Sequence, residues 1–500
     1  MMAVADTVTV NRVRRGSYLD SVALMRLSRG IAERAGVVEA ALMMGTPANK
    51  AILKDAGLLA GEGEGAAAND LVLAVRASTA QAADDALAAA EAALDRPRPR
   101  VEGASAVAPR TLRGALRAMP DATLALISVP GDFATGEARA ALRAGLDVMV
   151  FSDNVPLGEE VTLKEEARTL GRLVMGPDCG TAIINGVPIA FANRVPRGDV
   201  GIVGASGTGM QEVSCLLAQG GRGISQALGV GGRDLSREVG AISTLTAIDR
   251  LDAHPATRHI VLISKPPHAD VARAVLTRAG RSAKRFTVCF LGATGMDAPA
   301  NVTIVATLRA AAEDVLGGVL IGADVPASAG ALPAPRHGAI VGLFSGGTLA
   351  AEAQLILLQG GRAVASNAPV PGAGPLTADG TPADRILDLG ADEFTRGRPH
   401  PMIEPAVRAD MLPPALADAN VSVVLLDLVI GHGAHPDPAA AIVAAMQATR
   451  DAGPHVVASV TGTESDPQIR SRQVAALEKA GVIVAASNAH AAELALRLSS

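Results

Sequence analysis

The sequence predicts an α/β protein with several three-layer, parallel-sheet domains and a small α/β domain at its N-terminus. Its 500 residues are 49% hydrophobic but only 2% aromatic, so the apolar content comes from Ala, Val, Leu and Ile. Such a composition is typical of parallel strands covered by Ala-rich helices. Short apolar runs also alternate with helical stretches, and one segment is repeated along the chain.

Composition excludes several classes of protein. A net charge of −5, with one Tyr and no Trp, gives neither a basic surface nor stacking platforms for nucleic acid. Three widely spaced Cys exclude a disulfide framework and a cysteine zinc site. No apolar run is long enough to span a membrane. We therefore expect a soluble, cytoplasmic protein with no nucleic-acid and no membrane partner.

Four domains are expected, at residues 1–98, 110–196, 198–330 and 338–500. The first is a small α/β domain, and the Pro/Arg stretch at 96–100 marks a linker. Its predicted strands are 7–13, 37–44 and 71–76, its predicted helices are 21–35, 48–56 and 79–94, and a mobile loop is expected at 61–68. In the second domain, strands are predicted at 124–129, 146–151 and 172–175 and helices at 134–144 and 158–170.

An internal repeat links the last two domains. The stretch from Ala205 to Arg222, which ends in a Gln-Gly-Gly-Arg block, has an echo 140 positions later, from Ser345 to Arg362. The Gly, Thr, Glu and Leu positions and the whole Gln-Gly-Gly-Arg block coincide. Each copy follows an apolar strand, turns on small residues and enters an amphipathic helix. Duplicated three-layer domains are the simplest interpretation.

The repeated turns have the chemistry of an anion site. A helix that starts at Ser, Gly and Thr presents unpaired N–H groups, hydroxyls and the positive end of its dipole. Simple N-capping is the alternative for either turn alone. If the duplicated domains pack pseudo-symmetrically, both helix ends can face one phosphate or carboxylate. The predicted phosphate-binding residues are Ser206, Gly207, Thr208, Ser345, Gly346, Gly347 and Thr348. Neither turn is a P-loop, so direct nucleotide binding is not indicated.

Two further loops follow predicted strands, where ligands of α/β sheets bind. Arg233 and Asp234 end a Gly-rich turn and can line a ligand cleft or simply pair with each other. His435 and Asp437 follow the apolar strand at 421–430 and can handle a proton, with a polar turn as the alternative. Together with His432 they make only a weak metal pattern, so no metal is predicted. A packing role is favoured for Cys179.

From residue 110 onward the motifs resemble a known family. GPDCGTAIINGVPIAFAN, GASGTGMQEVSCLLAQGG, GVGGRDLS and GAHPDP together look like the FdrA family. That family is similar to the succinyl-CoA synthetase α subunit fused to the C-terminal domain of the β subunit. The resemblance implies a Rossmann-like CoA-binding-type domain and two flavodoxin-like domains. It also implies that the two helix N-termini face a transferred phosphate, and that Glu212 matches a glutamate near phosphohistidine.

The departures from the synthetases direct the functional prediction. Residues 290–297 have no His where the phosphorylated His would stand, and the Gly-rich loop of the CoA-binding domain is missing. The resemblance then implies an acyl-phosphate-using transferase subunit, foremost the FdrA-type component of oxamate carbamoyltransferase in purine and allantoin catabolism. That enzyme converts carbamoyl phosphate and oxamate to oxalurate and phosphate. The alternatives are an ADP-forming acyl-CoA synthetase subunit, resembling succinate–CoA ligase, and a non-catalytic phosphate-binding scaffold.

This function predicts specific roles and partners. His435, with Asp437 as its orienter, would polarise the acyl group or handle a proton, and Arg233 would pair with the acceptor's carboxylate. No cofactor is required, whereas the synthetase alternative needs CoA and ATP supplied through partner subunits. Small-molecule partners are an acyl phosphate and its acceptor. A hetero-oligomer with other subunits or a homo-oligomer is expected.

Overall fold

The computed structural model describes residues 7–17, 19, 21–95, 109–318, 332–376, 384–395, 399–447 and 453–499. The predicted linker at 96–100 lies outside these ranges. The chain forms two compact units, residues 1–115 with 392–399, and residues 116–391 with 400–500. Among the described residues, no helix has both the length and the apolar character needed to cross a bilayer.

The first unit is built on a three-stranded antiparallel sheet with the order β1-β3-β2. Its elements are β1 (Val8–Arg14), α1 (Ser21–Ala32), β2 (Val37–Met44), α2 (Pro47–Asp55), β3 (Leu71–Ala77), α3 (Ala80–Asp95) and the start of α4 (Leu112–Ala118). The central strand β3 is apolar and almost wholly buried. The stretch expected to be a mobile loop instead contains a 3₁₀ helix, Gly61–Gly65, because Gly63 packs directly against Asn11.

The second unit begins with a small parallel sheet of the order β4-β5-β6. Two helices connect its strands, as the alternating pattern predicts. The elements are β4 (Leu124–Ile127), α5 (Gly131–Arg143), β5 (Asp147–Val150), α6 (Leu157–Thr169) and β6 (Val174–Met175).

A hairpin follows and joins the next sheet. Strands β7 (Thr181–Ile184) and β8 (Val187–Ala190) pair across Asn185 and Gly186, whose φ angles are 52° and 80°. Both angles are left-handed, as a two-residue hairpin turn requires. The following elements are β9 (Arg197–Gly204), α7 (Gly207–Gln219), β10 (Ile224–Gly229), α8 (Ile242–Ala253), β11 (His259–Ser264), α9 (Ala269–Gly280), β12 (Arg285–Phe290), β13 (Val302–Val305) and α10 (Leu308–Leu316).

The sheet that contains β9 has the order β13-β12-β11-β9-β10-β7-β8. Its five parallel strands, numbered from β9, therefore run 5-4-3-1-2, which is the flavodoxin-like order. The hairpin strand β7 extends the sheet by pairing antiparallel to β10. Residues 181–190 were assigned from sequence to the second domain, but their strands hydrogen-bond into the sheet of the third.

The remaining residues form a second parallel sheet of the order β16-β15-β17-β14-β18-β19-β20, which differs from the flavodoxin order in that an added strand separates the first two strands of this copy. Strand β14 is central, as β9 is in the first copy, and β17 lies between it and β15. In chain order the elements are β14 (Ala339–Phe344), α11 (Gly347–Gln359), β15 (Val364–Ser366), β16 (Gly374–Pro375), β17 (Asp384–Asp388), α12 (Asp392–Thr395), α13 (Ala406–Ala417), β18 (Val421–Val429), α14 (Pro438–Gln447), β19 (His455–Thr461), α15 (Arg470–Lys479), β20 (Ile483–Ala485) and α16 (Asn488–Leu498). Of these, α12 belongs to the first unit. The predicted fold class is confirmed.

The first Gly of the repeated Gln-Gly-Gly-Arg block has the same structural role in both copies. A side chain at Gly220 would collide with Leu316 of α10, and one at Gly360 would collide with Leu496 of α16. Each glycine thus lets the last helix of its own copy pack closely. The second glycine of each block, Gly221 or Gly361, ends the helix with φ of 79°.

The arginine of the repeated block binds an aspartate in both copies. Arg222 donates to Asp199 at 2.8 Å, and Arg362 donates to Asp384 at 2.8 Å. Both contacts tie the C-terminal end of the first helix to the start of a strand. The equivalent helices α7 and α11 are therefore held in equivalent positions, and their apolar residues share one core with α10 and α16.

Candidate functional site

The N-termini of α7 and α11 meet. Ser206 Oγ lies 2.6 Å from Thr348 Oγ1. A Cβ at Gly346 would lie 3.0 Å from the Thr208 side chain, and one at Gly209 would lie 3.2 Å from Thr348. Glycine at these positions is what allows the two first turns to approach so closely. The structure thus brings together the two sets of residues that the sequence repeat singled out.

Both first turns have amide groups without a partner. No described residue accepts a hydrogen bond from the N–H groups of Gly207, Thr208, Gly347 or Thr348. Each turn also holds the positive end of a helix dipole, so the electrostatic environment favours an anion. The Ser206 hydroxyl accepts from Gly209 N at 3.0 Å and caps α7.

A carboxylate already occupies part of the α11 terminus. Asp427 accepts hydrogen bonds from Ser345 N and Gly346 N, both at 2.7 Å, and from Arg408 Nη2 at 2.9 Å. Asp388, at the end of β17, lies so close to Gly347 that a Cβ there would collide with it. The amides of Ser345 and Gly346 are therefore engaged within the protein, and the donors left to a ligand come from the first turn proper.

These acidic residues and the nearby His400 were missed in the sequence. Asp427 interrupts the apolar strand β18, and a charged residue there is a signal that could have been noticed. Asp388 ends β17, a strand that the pattern did not single out. His400 comes from a loop with no strand directly before it. A Cβ at Gly390 would lie 2.6 Å from His400 Nε2, 3.0 Å from Ser345 O and 3.2 Å from Asp388 Oδ1.

Glu212 and its repeat partner Glu352 are buried one turn further into the helices. Glu212 accepts from Asn488 N at 2.9 Å and from the Thr461 hydroxyl. Glu352 accepts from Leu308 N at 2.6 Å and from Asn488 Nδ2 at 2.7 Å. Each glutamate therefore caps the last helix of the opposite copy. Burial raises the pKa of Glu212 and raises that of Glu352 to about 7.

His435 and Asp437 lie in the loop after β18. His435 Nδ1 accepts from the Asp437 main-chain N at 3.1 Å, whereas the Asp437 carboxylate accepts from Gln473 Nε2 at 3.1 Å. The main chain of Asp437, rather than its carboxylate, thus orients His435. No hydrogen bond or ion pair among the described residues joins either side chain to α7 or α11. Their catalytic roles stay predictions.

Arg233 and Asp234 belong to an ionic cluster. Lys164 is fully buried and donates to Glu160 Oε1 at 2.7 Å, to Asp234 Oδ1 at 2.7 Å and to Val230 O at 3.0 Å. Asp234 also accepts from the first turn of α8. Arg233 is half-exposed and pairs with Glu160 at 2.8 Å. Of the two residues predicted to bind substrate, Asp234 is thus committed to the interior of the protein.

Other features bear on the predicted site. Burial raises the pKa of Cys179 to about 12, so the thiol is not poised as a nucleophile. Residues 291–297 follow β12 and provide no imidazole near α7. Two cavities of about 450 and 370 Å³ lie between α6 and α8, and none of the predicted site residues lines either one.

Two family models match the chain. One, described as "CoA-ligase", covers residues 343–498, and the other, described as "AllF, heavy metal-associated domain", covers residues 7–109. The YahF protein of Escherichia coli (strain K12) is 38% identical over 501 residues, which is 97% of this chain and 97% of the relative. The chain belongs to the same family as YahF.

Ligase subunits are similar to part of this YahF-family chain. The α subunit of ADP-forming succinate–CoA ligase from Methanothermobacter thermautotrophicus is 26% identical over 29% of the chain and 49% of the relative. SauD, a subunit of the ADP-forming sulfoacetate-CoA ligase of Bilophila wadsworthia, is 28% identical over 36% and 61%. The chain thus spans about half to three-fifths of these ligase subunits. The likeness to ligases is therefore partial, at about a third of this chain.

A solved structure is also similar. Acetyl-coenzyme A synthetase 1 of Ca. Korarchaeum cryptofilum, in complex with phosphate and ADP, is 16% identical, covers 75% of this chain and 82% of its own, and has a TM-score of 0.31.

The metal named in the N-terminal family description does not fit the residues present. Residues 7–109 contain no Cys and no His, the ligands that soft and borderline metals prefer. Within the described ranges, no group of three His, Cys, Asp or Glu side chains can hold a metal ion.

Proposed function

We propose that the chain binds the phosphate of an acyl phosphate between the first turns of α7 and α11 and takes part in acyl transfer as a component of an acyl-CoA ligase. The meeting of the two turns, with Ser206 and Thr348 2.6 Å apart, is the observation that supports this most directly. Four amides without a partner and two helix dipoles point to the same place. A phosphate accepts several such hydrogen bonds at once.

The same donors favour departure of the phosphate. Attack on the acyl carbon forms a bond to the acceptor and breaks the bond from carbon to the bridging phosphate oxygen. The acceptor's proton ends on the released phosphate, so the step balances without an oxidant or a metal. Negative charge grows on the phosphate during this step, and amides already oriented toward it stabilise that charge with little reorganisation.

CoA is the acceptor that the relatives' names suggest. Its thiol would attack the acyl phosphate and yield an acyl-CoA. Residues 290–297 contain no His, so this segment does not supply the phosphorylated histidine of the synthetases that the chain resembles. We therefore propose that the acyl phosphate arrives preformed, and that ATP-dependent activation and CoA binding involve partner subunits.

Carbamoyl transfer is a second candidate, favoured by that same missing histidine. Moving a carbamoyl group from carbamoyl phosphate to oxamate needs neither ATP nor CoA. The amide nitrogen of oxamate is a weak nucleophile, so positioning must contribute much of the rate. The FdrA resemblance supports this candidate, whereas the curated relatives support the ligase.

One set of incubations separates the candidates. The purified chain, alone and with the proteins encoded beside its gene, is given acetyl or succinyl phosphate with CoA, or carbamoyl phosphate with oxamate. Acyl-CoA formation supports the ligase component, and oxalurate formation supports the carbamoyltransferase. Phosphate release in neither mixture, with all partners present, contradicts both and leaves a phosphate-binding scaffold.

A further inference from the structure

His400 stands beside the α11 terminus, and neither the sequence motifs nor the comparisons single it out. We propose that His400 is a catalytic residue of this site: its Nε2–H donates a hydrogen bond to the phosphate of the bound acyl phosphate. This inference rests on the proposed function and adds a donor to it. The donor comes from a loop of the second copy rather than from either helix.

The position of His400 follows from a glycine that leaves room for it. The Cβ position of Gly390 is within 3.2 Å of three polar atoms: His400 Nε2, Ser345 O and Asp388 Oδ1. Ser345 directly precedes the N-cap of α11, and the Asp388 carboxylate also borders Gly347. The imidazole edge therefore lies at the same corner as the first turn of α11.

Hydrogen bonding determines which nitrogen of His400 bears the proton. Nδ1 accepts from Met402 N at 3.2 Å, so in a neutral ring the proton is on Nε2. Burial lowers the pKa of His400 to about 4, so the ring is neutral near pH 7. Contact with Phe191, at 6.1 Å between ring centroids, holds the ring plane. None of the hydrogen bonds among the described residues uses Nε2.

The negative charge near the α11 terminus explains why a further hydrogen-bond donor is needed there. Asp388 and Asp427 bring two carboxylates to the α11 terminus, and Arg408 is already bound to Asp427. A phosphate here would meet more repulsion than at α7, because no carboxylate of the described residues is hydrogen-bonded to the α7 N-terminus. A neutral N–H donor provides attraction on the α11 side without a mobile cation, as preorganised donors do in other acyl-transfer sites.

The test compares variants that keep or remove the donor. His400→Met removes it at similar length, whereas His400→Gln keeps an N–H that can reach the same point. His254→Met is the matched control, because His254 follows α8 at the opposite end of the sheet strands. Loss of a hydrogen bond to a charged group is expected to weaken phosphate binding about ten- to hundredfold in His400→Met. We expect His400→Gln and His254→Met to stay within about threefold of the unchanged chain.

The outcomes distinguish this inference from the proposed function. Isothermal titration calorimetry with inorganic phosphate and acetyl phosphate is run on all three variants and on Gly207→Pro, which removes an α7 amide. If Gly207→Pro weakens binding and His400→Met does not, the role of His400 is overturned and the phosphate site stands. If the unchanged chain binds neither ligand, the proposed function fails and this inference fails with it.

A spectroscopic measurement covers the case in which His400→Met does not fold. In long-range ¹⁵N NMR of the unchanged chain, the His400 signals are assigned by their loss in His400→Gln. Saturating phosphate should shift the Nε2 resonance while Nδ1 keeps its acceptor pattern. An Nε2 resonance that does not move at saturation would overturn the proposal.

Discussion

Replacing Gly207 by proline should remove one amide from the proposed phosphate site while leaving α7 intact. Gly207 is the first residue of the helix, a position where proline is favoured because the N–H has no partner within the helix. Ser206, which precedes it, is extended, with φ of −165° and ψ of 109°. A residue before proline prefers that region, so the variant is expected to fold.

The expected loss of phosphate affinity follows from the number of amide donors at the site. Of the four first-turn amides without a partner, the variant loses one. A hydrogen bond to a charged group contributes about 1.5–3 kcal/mol, so the dissociation constant for phosphate should rise roughly 10- to 150-fold. Gly207→Ala is the matched control, since it keeps the amide and adds a Cβ 3.1 Å from Thr181 Oγ1. Calorimetric titration with inorganic phosphate measures the affinity, and thermal unfolding checks that both variants fold.

Equal phosphate affinity in the proline and alanine variants would refute this reasoning, because only proline removes the amide donor. If both variants bind phosphate equally weakly, the loss comes from the added volume beside Thr181 and not from the lost amide. We expect the unchanged chain and Gly207→Ala to bind phosphate with similar affinity, and Gly207→Pro to bind it much more weakly.

Three further predictions concern the buried polar groups. Lys164→Met should destabilise the fold by about 3–5 kcal/mol in urea unfolding, because it removes the buried cation that pairs with both Glu160 and Asp234. The surface variant Arg168→Met should change stability by under about 1 kcal/mol, and similar losses in both variants would contradict the cluster's role. The raised pKa of Glu352 should lower the free energy of unfolding by on the order of 3 kcal/mol as the pH rises from about 4.5 to 7, because the folded chain keeps the Glu352 proton to higher pH than the unfolded chain. Glu352→Gln should remove this part of the pH dependence of stability. An unchanged pH dependence in the variant would contradict the prediction. Because all three cysteines are buried and the pKa of each is raised, Ellman's reagent should find no rapidly reacting thiol in the native chain and three after unfolding; fast native labelling would disprove this.

The repeated turns could be located from sequence because their signals are local. An apolar strand, small residues and an amphipathic helix occur together in each copy, and the structure has β9–α7 and β14–α11 there. The hairpin at Asn185 and Gly186 also has a local signal, an Asn-Gly pair between apolar runs.

The contacts that complete the site were not accessible in this way. Asp427 reaches Ser345 across 82 residues, and Glu212 reaches Asn488 across 276. Such pairings depend on how two sheets and four helices pack, and spacing along the chain does not encode them. Sequence reasoning assigned Glu212 to catalysis and Asp234 to substrate, whereas both side chains accept hydrogen bonds from main-chain amides at helix starts.

The way in which the two copies pack on each other explains why Glu212 and Glu352 have the same role. Glu212 and Glu352 are related by the 140-residue shift, and each accepts from the first amide of the other copy's last helix. A duplicated domain that packs on its copy with approximate twofold symmetry can form such a contact in both copies. The convergence of the two helix N-termini is a consequence of the same symmetry.

A crystal structure of the chain with acetyl phosphate, or with inorganic phosphate at saturation, tests the central claim most directly. We expect a phosphate between α7 and α11, with oxygens about 2.9 Å from the amides of Gly207 and Thr348. A phosphate bound elsewhere, or first turns that remain in direct hydroxyl contact with no ligand at saturation, would contradict it.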